Sequence, residues 1–109
     1  MHFPFNALKK LIQINLRQLE YFVAAARYGS TAKAAQAINV SQPSISKAIA
    51  DLEAHWGEPL FVRKHAKGLD LTAAGLARSR EAAALLDSAL KLQQPQQKML
   101  SGVLRLGFL

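Results

Sequence analysis

Four blocks of apolar residues at helical spacing run along this chain, each bounded by a residue that starts or stops a helix. Leu16, Leu19, Phe22, Val23 and Ala26 form the first stripe. Asn15 is suited to cap its N-terminus, and Gly29 ends it. Ser30 or Thr31 is suited to cap a second, shorter helix whose buried side is Ala34, Ala35 and Ile38. Asn39 tolerates the left-handed conformation needed to leave that helix, and Val40 plugs the turn that follows. Ser41 caps the third helix, and Pro43 falls in its first turn, where a missing N–H costs nothing. Ile45, Ile49, Leu52 and Trp56 lie at i, i+4, i+7 and i+11, a buried stripe that stops at Gly57. Gln42, Pro43, Ser46, Lys47 and Ala50 lie off that stripe, so one face of this helix carries only small and polar groups.

The periodicity then changes. Pro59 opens an extended run, Leu60 to Arg63; a basic turn follows from Lys64 to Gly68, and Leu69-Asp70-Leu71 returns. This pattern predicts a two-stranded hairpin with a cationic tip. Such a hairpin is marginal alone, so it must lean on the helices through Leu60, Leu69 and Leu71. Thr72 caps a long helix that runs to about Gln94. Leu76, Ala83 and Leu90 repeat at seven residues, with Leu86 between them; a second stripe runs through Ala82, Leu85, Ala89 and Leu92. Two stripes exceed what a small body covers, which predicts one against the body and one against a second copy of the chain. Gly75 weakens the first turns of this helix. Pro95 among glutamines marks a hinge over 95–101. Residues 102–109 read as a strand with no sheet to join, which predicts a further domain beginning there. Leu8, Leu11 and Ile12 give residues 1–14 only a marginal helical stripe, and this extension reads as a loosely ordered arm.

Composition changes this picture in one direction. With 109 residues, 50% of them hydrophobic, the chain holds enough apolar side chains for one small core. Fourteen Lys and Arg oppose seven Asp and Glu, a net charge of +7, which points to a polyanionic partner: nucleic acid first, an anionic membrane second. The absence of cysteine excludes disulfides, thiolate metal sites and thiol catalysis. No apolar run reaches membrane-spanning length, and the N-terminus lacks the order of a signal peptide, so a cytoplasmic, nucleoid-associated protein is expected.

The candidate chemistry lies on the basic and small-residue surfaces. Lys33 starts the second helix, Lys47 lies on the third, and Arg63, Lys64 and Lys67 lie on the hairpin; each is placed to meet phosphate. Arg63 is also long enough to enter a minor groove. Gln42 matches adenine, Lys47 matches the O6 and N7 of guanine, and Ser46 is permissive. Pro43 and Ala50 offer apolar contacts to a thymine methyl. The Ser41 cap and the free N–H groups beside it suit a phosphate, and Ser44 joins the DNA-binding set. Trp56 completes the buried stripe and reads as core. His55 and His65 have no carboxylate or thiolate partners, so no metal site is assigned. No catalytic set is visible either: no Ser-His-Asp arrangement, glycine-rich phosphate loop or paired carboxylates.

These residues, taken in order, resemble the LysR-type transcriptional regulators. The likeness starts at Asn15-Leu16-Arg17-Gln18-Leu19 and continues through Tyr21-Phe22-Val23-Ala24, Gly29-Ser30 and Ala34-Ala35. It includes Val40-Ser41-Gln42-Pro43-Ser44-Ile45-Ser46-Lys47, Ile49, Leu52-Glu53, Gly57, Pro59-Leu60-Phe61, Arg63, Leu71-Thr72 and Ala74-Gly75, and resumes at Gly102–Gly107. The resemblance implies a mainly α fold: a winged helix-turn-helix of three helices and a two-stranded wing over 15–71, with the helix-turn-helix at 31–50. A linker helix at 72–94 that dimerises the chain would follow. It implies DNA contacts from Gln42, Pro43, Ser46 and Lys47, and a minor-groove contact from Arg63. The family continues into a two-lobed domain that senses a small-molecule effector, of which only the first strand would be present; no cofactor is expected in the chain itself. Three departures stand out. The 14-residue extension is unusual, Thr31 stands where an apolar residue is common, and Lys47 replaces the more usual Arg, losing the rigid planar fork.

The expectation is therefore a non-enzymatic, sequence-specific DNA-binding domain. It would bind an imperfect palindrome in double-stranded DNA as a homodimer, with Thr31, Lys33, Ser41 and Ser44 around the reading face. Leu76, Ala83, Leu86 and Leu90 would form the dimer seam. Full-length relatives often form tetramers, and RNA polymerase is a further partner that such a regulator admits. The competing expectation is a protein-interaction module that works through the long helix.

Overall fold

The computed structural model describes residues 4–7, 13–64 and 68–95. The expected arm residues Leu8, Leu11 and Ile12, the wing-tip residues His65 and Lys67, most of the hinge and the strand at 102–109 lie outside these. The order is α1 (Leu16–Tyr28), α2 (Thr31–Ile38), α3 (Gln42–Trp56), β1 (Phe61–Arg63), β2 (Leu69–Leu71) and α4 (Ala73–Gln93). This is the mainly α winged helix-turn-helix with a long terminal helix that the pattern predicts.

Each boundary has a local cause. Asn15 and Gln18 form a reciprocal capping box: the Gln18 N–H donates to Asn15 Oδ1 and the Asn15 N–H to Gln18 Oε1, each at 2.9 Å. Gly29 closes α1 in the left-handed region, φ 64°. Ser30, not Thr31, caps α2 by accepting from the Lys33 N–H at 3.2 Å. Asn39 leaves α2 at φ 58°, the one non-glycine residue with positive φ among the described residues. Ser41 caps α3, and Gly57 ends it.

Helix α1 is the centre of the core and packs on every other helix. On one side Ala24 and Ala25 meet Ala34 and Ala35 of α2 and Ile45 and Ile49 of α3. Alanine against alanine lets α1 and α2 lie close, and α3 packs on the same cluster through Ile45 and Ile49. On the other side Leu19 and Phe22 meet Leu52, Leu60 and Ala82. Phe22, Ile45, Leu52 and Leu60 are fully enclosed. Trp56 is only half-buried: it sits at the rim of this second cluster, edge-on to Phe22 at 6.3 Å, and does not complete the buried stripe as the spacing predicts.

The wing is tied down as the pattern requires, though partly by other bonds. Phe61 pairs with Leu71, Val62 with Asp70 and Arg63 with Leu69 in an antiparallel ladder. Leu60 precedes the strand; its N–H donates to Glu53 Oε2 at 2.8 Å and its carbonyl accepts from the Thr72 N–H at 3.0 Å. The Leu69 N–H donates to the Gly29 carbonyl at 2.9 Å, and Phe61 stands edge-on to Phe22 at 5.7 Å.

Helix α4 adds to two sequence readings. Gly75 does more than weaken its first turns. A Cβ there would lie 2.0 Å from the Leu60 carbonyl oxygen, so only glycine lets α4 come so close to the segment before the wing. Leu86 lies at the edge of the Leu76, Ala83 and Leu90 face that is nearest the body, half-buried. Gly75, Ala82, Leu86 and Ala89 turn toward the body, Ala82 buried and Leu86 packed on the Leu19–Phe22 cluster. The two stripes of equal period differ by about one helical step, and a helix turns about 100° per residue. Leu76 and Leu90 thus lie exposed on one flank, and Leu85 and Leu92 on the other. Beyond the apolar contact, Arg78 locks α4 in place: its Nε is 2.9 Å from Glu58 Oε1 and its guanidinium stacks 4.4 Å above the Trp56 ring.

Candidate nucleic-acid interface

The buried stripe of α3 decides what its other face presents. With Ile45, Ile49 and Leu52 inward, Gln42, Pro43, Ser46, Lys47 and Ala50 are all exposed. No side chain among these is bulkier than Gln or Lys, so the backbone of α3 can approach a ligand surface closely. The Ser41 cap shares its oxygen with both the Ser44 N–H and the Ser44 hydroxyl, the latter at 2.6 Å. Ser44 is therefore engaged in capping, and its reach toward a ligand depends on the free side of that hydroxyl.

A cleft of about 570 Å³ joins α3 to the start of α2 and to the wing. Thr31, Lys33, Gln42, Ser46, Ala50 and Arg63 line it, so six of the expected residues meet in one place. Lys47 lies around the helix from them, in a second groove with Asn15, Arg17 and Asp51. Arg17 was not singled out from the sequence, since it reads there only as part of the polar face of α1. The fold sets it beside the same groove as Lys47 and adds a cation to this edge of the surface. Lys64 stands at the base of the wing tip; Lys67 falls outside the described residues.

Two of these cations are paired. Lys47 Nζ is 2.9 Å from Asp51 Oδ2 and Lys64 Nζ is 3.1 Å from Asp70 Oδ2. Both lysines are about three-quarters exposed. Such pairs are worth about 0–1 kcal/mol and weaken in salt, so either lysine leaves its partner for a phosphate or a base at small cost. Gln42 is also engaged: its Nε2 donates to Thr31 Oγ1 at 2.9 Å. Among the described residues no cluster of His, Asp and Glu is arranged to hold a metal ion. No helix among them is long and apolar enough to cross a membrane.

Known proteins agree with this geometry. A model of the bacterial regulatory helix-turn-helix proteins of the lysR family matches residues 16–76. The transcriptional regulator BudR of Klebsiella aerogenes is 41% identical over 97 residues, covering 86% of this chain and 67% of BudR. TcbR of Pseudomonas sp. (strain P51) is 43% identical over 76 residues, which span 70% of this chain but only 26% of TcbR. Among solved structures, the DNA-binding domain of CbnR in complex with DNA superposes with a TM-score of 0.67 at 42% identity, covering 72% of this chain and 88% of that one. The BenM DNA-binding domain bound to catB site 1 DNA gives a TM-score of 0.66 at 29% identity, covering 87% and 97%. The chain belongs to the lysR family of bacterial regulatory helix-turn-helix proteins, a family of transcriptional regulators and not of enzymes.

Proposed function

We propose that this chain is the sequence-specific, double-stranded-DNA-binding part of a cytoplasmic transcriptional regulator. The observation that carries the reading is the cleft that gathers Thr31, Lys33, Gln42, Ser46 and Arg63 beside an α3 face free of large side chains. The solved relatives CbnR and BenM are themselves DNA complexes. In this reading α3 enters the major groove. Gln42 reads adenine, Lys47 reads guanine, Ser46 allows close approach, and Pro43 and Ala50 meet thymine methyls. Arg63 enters the adjacent minor groove from the wing. Lys33, Lys64, Lys67, Thr31 and the Ser41–Ser44 cap hold phosphates and set the register.

The chain acts as a homodimer through the flank of α4 that carries Leu76, Ala83 and Leu90, with Leu86 at its edge toward the body. Two copies of α3 then face half-sites of an imperfect palindrome about one helical turn, roughly 34 Å, or a multiple of it apart. RNA polymerase is a further partner of the assembled regulator.

Lys47 tests the reading of bases most simply. Lys47→Ala should cost about 1–3 kcal/mol on the cognate duplex and much less on random DNA. The substitution also leaves Asp51 without its partner, so the comparison is cleanest in an Asp51→Asn background. Equal losses on cognate and random duplexes, measured by fluorescence anisotropy, would exclude a base contact by Lys47.

A further inference from the structure

The Gln42 amide is held by a residue of another helix, and its free groups form a particular pattern. A glutamine amide has two N–H donors and one acceptor oxygen. In this structure one donor is committed to Thr31 Oγ1, at 2.9 Å and eleven residues away in sequence. One donor and the carbonyl oxygen are left over. That is the pair adenine requires in the major groove, where N7 accepts and the N6 amino group donates. Unrestrained, the same amide rotates about its terminal torsion, which has broad wells. It then offers a donor alone to guanine or an acceptor alone to cytosine with similar ease.

Thr31 is well placed for this task. It is the first residue of α2, half-buried, and Ser30 rather than Thr31 caps the helix. Its hydroxyl is therefore free of structural duty within its own helix. Both residues line the cleft between α3 and the wing. The alanine-lined contact of α1 with α2 fixes where Thr31 stands, and α3 packs on the same cluster through Ile45 and Ile49. The backbone separation of Thr31 and Gln42 is thus set by the core, and the hydrogen bond fixes the side chains across it.

We infer that Thr31 is a positioning residue for base recognition: it fixes the Gln42 amide so that α3 selects adenine at one base pair. The inference rests on the proposed DNA-binding function. The hydroxyl of Thr31 still has its own proton to give to a phosphate, so the two roles of Thr31 are compatible.

The test uses the full chain and a duplex selected by it from a random pool. Every base is substituted in turn along one half-site, and binding is measured for the natural chain, Thr31→Val, Thr31→Ser, Gln42→Ala and the Thr31→Val/Gln42→Ala double variant. Thr31→Val is expected to lower the preference for adenine about five- to tenfold at the single base pair where Gln42→Ala abolishes it, a part of what one bidentate contact provides. Thr31→Ser should keep the preference. The double variant should match Gln42→Ala alone, and the melting temperature of Thr31→Val should stay close to that of the natural chain. A Thr31→Val variant with unchanged preference would overturn the inference. So would one whose loss is the same at every base, or whose loss multiplies with that of Gln42→Ala. If the natural chain enriches no sequence at all, the DNA-reading proposal itself fails and this inference falls with it.

Discussion

Replacing Gly75 with alanine should lower the melting temperature by roughly 10–20 °C, although alanine is the better helix former. Propensity alone would favour the change by about 1 kcal/mol. Against it stands a Cβ built 2.0 Å from the Leu60 oxygen and 2.9 Å from the Leu60 carbonyl carbon, both backbone atoms that cannot swing aside. The first turns of α4 must retreat, and the retreat loosens the Thr72–Leu60 hydrogen bond and draws Ala82 and Leu86 from the Leu19–Phe22 cluster. Overpacking of this kind costs about 1–3 kcal/mol and occasionally more. With the loosened contacts, a net loss of about 2–4 kcal/mol is expected, and a domain of this size loses about 4–8 °C for each. Thermal unfolding followed by circular dichroism checks it. A stabilised Gly75→Ala variant would mean that α4 does not lie against Leu60.

The second large effect concerns α4 as a dimer seam. Leu90 is 62% exposed in the single chain, so a Leu90→Asp substitution takes little from the fold of one protomer. In the proposed dimer the new carboxylate is buried opposite its own copy, which costs several kcal/mol. The chain should then sediment as a monomer. Binding of one half-site no longer brings a second α3 to the other, and tethering of this kind is worth about 10²–10⁴ in affinity. Affinity for the palindrome is expected to fall by about 10²-fold or more, with the affinity for an isolated half-site unchanged. Leu85→Asp, on the opposite flank of α4, is the comparison. If it and not Leu90→Asp dissolves the dimer, the seam runs along Leu85 and Leu92. An unchanged dimer in both variants would remove α4 from the interface.

Most of the secondary structure was legible because its signals are local. Asn15, Ser41 and Thr72 as caps, and Gly29, Asn39 and Gly57 as stops, act within one turn of themselves, and the structure uses each of them. The reading face of α3 was legible for a related reason: one buried stripe on a helix defines its opposite side. Contacts between distant residues were not legible. Nothing near Gly75 announces the Leu60 carbonyl, and nothing near Arg78 announces Glu58 or Trp56. That Leu86 also touches the Leu19–Phe22 cluster was not legible either, because two heptad repeats on one helix look alike until the position of the body is known. Thr31 stood out only as an unusual residue, and Arg17 as one polar residue among several. Packing gives one a partner in Gln42 and the other a place beside Lys47.

The central claim is that this surface reads a DNA sequence and does not merely attract polyanions. It is tested by the equilibrium affinity of the purified chain for its own upstream DNA and for a shuffled duplex of the same composition, followed from 50 to 200 mM salt. The account predicts affinities that fall steeply with salt on both duplexes, about 0.9 in logarithmic slope for each phosphate neutralised. It also predicts a preference of about 10³-fold or more for the natural sequence that survives at the highest salt. Equal affinity for the two duplexes across the whole range would contradict it.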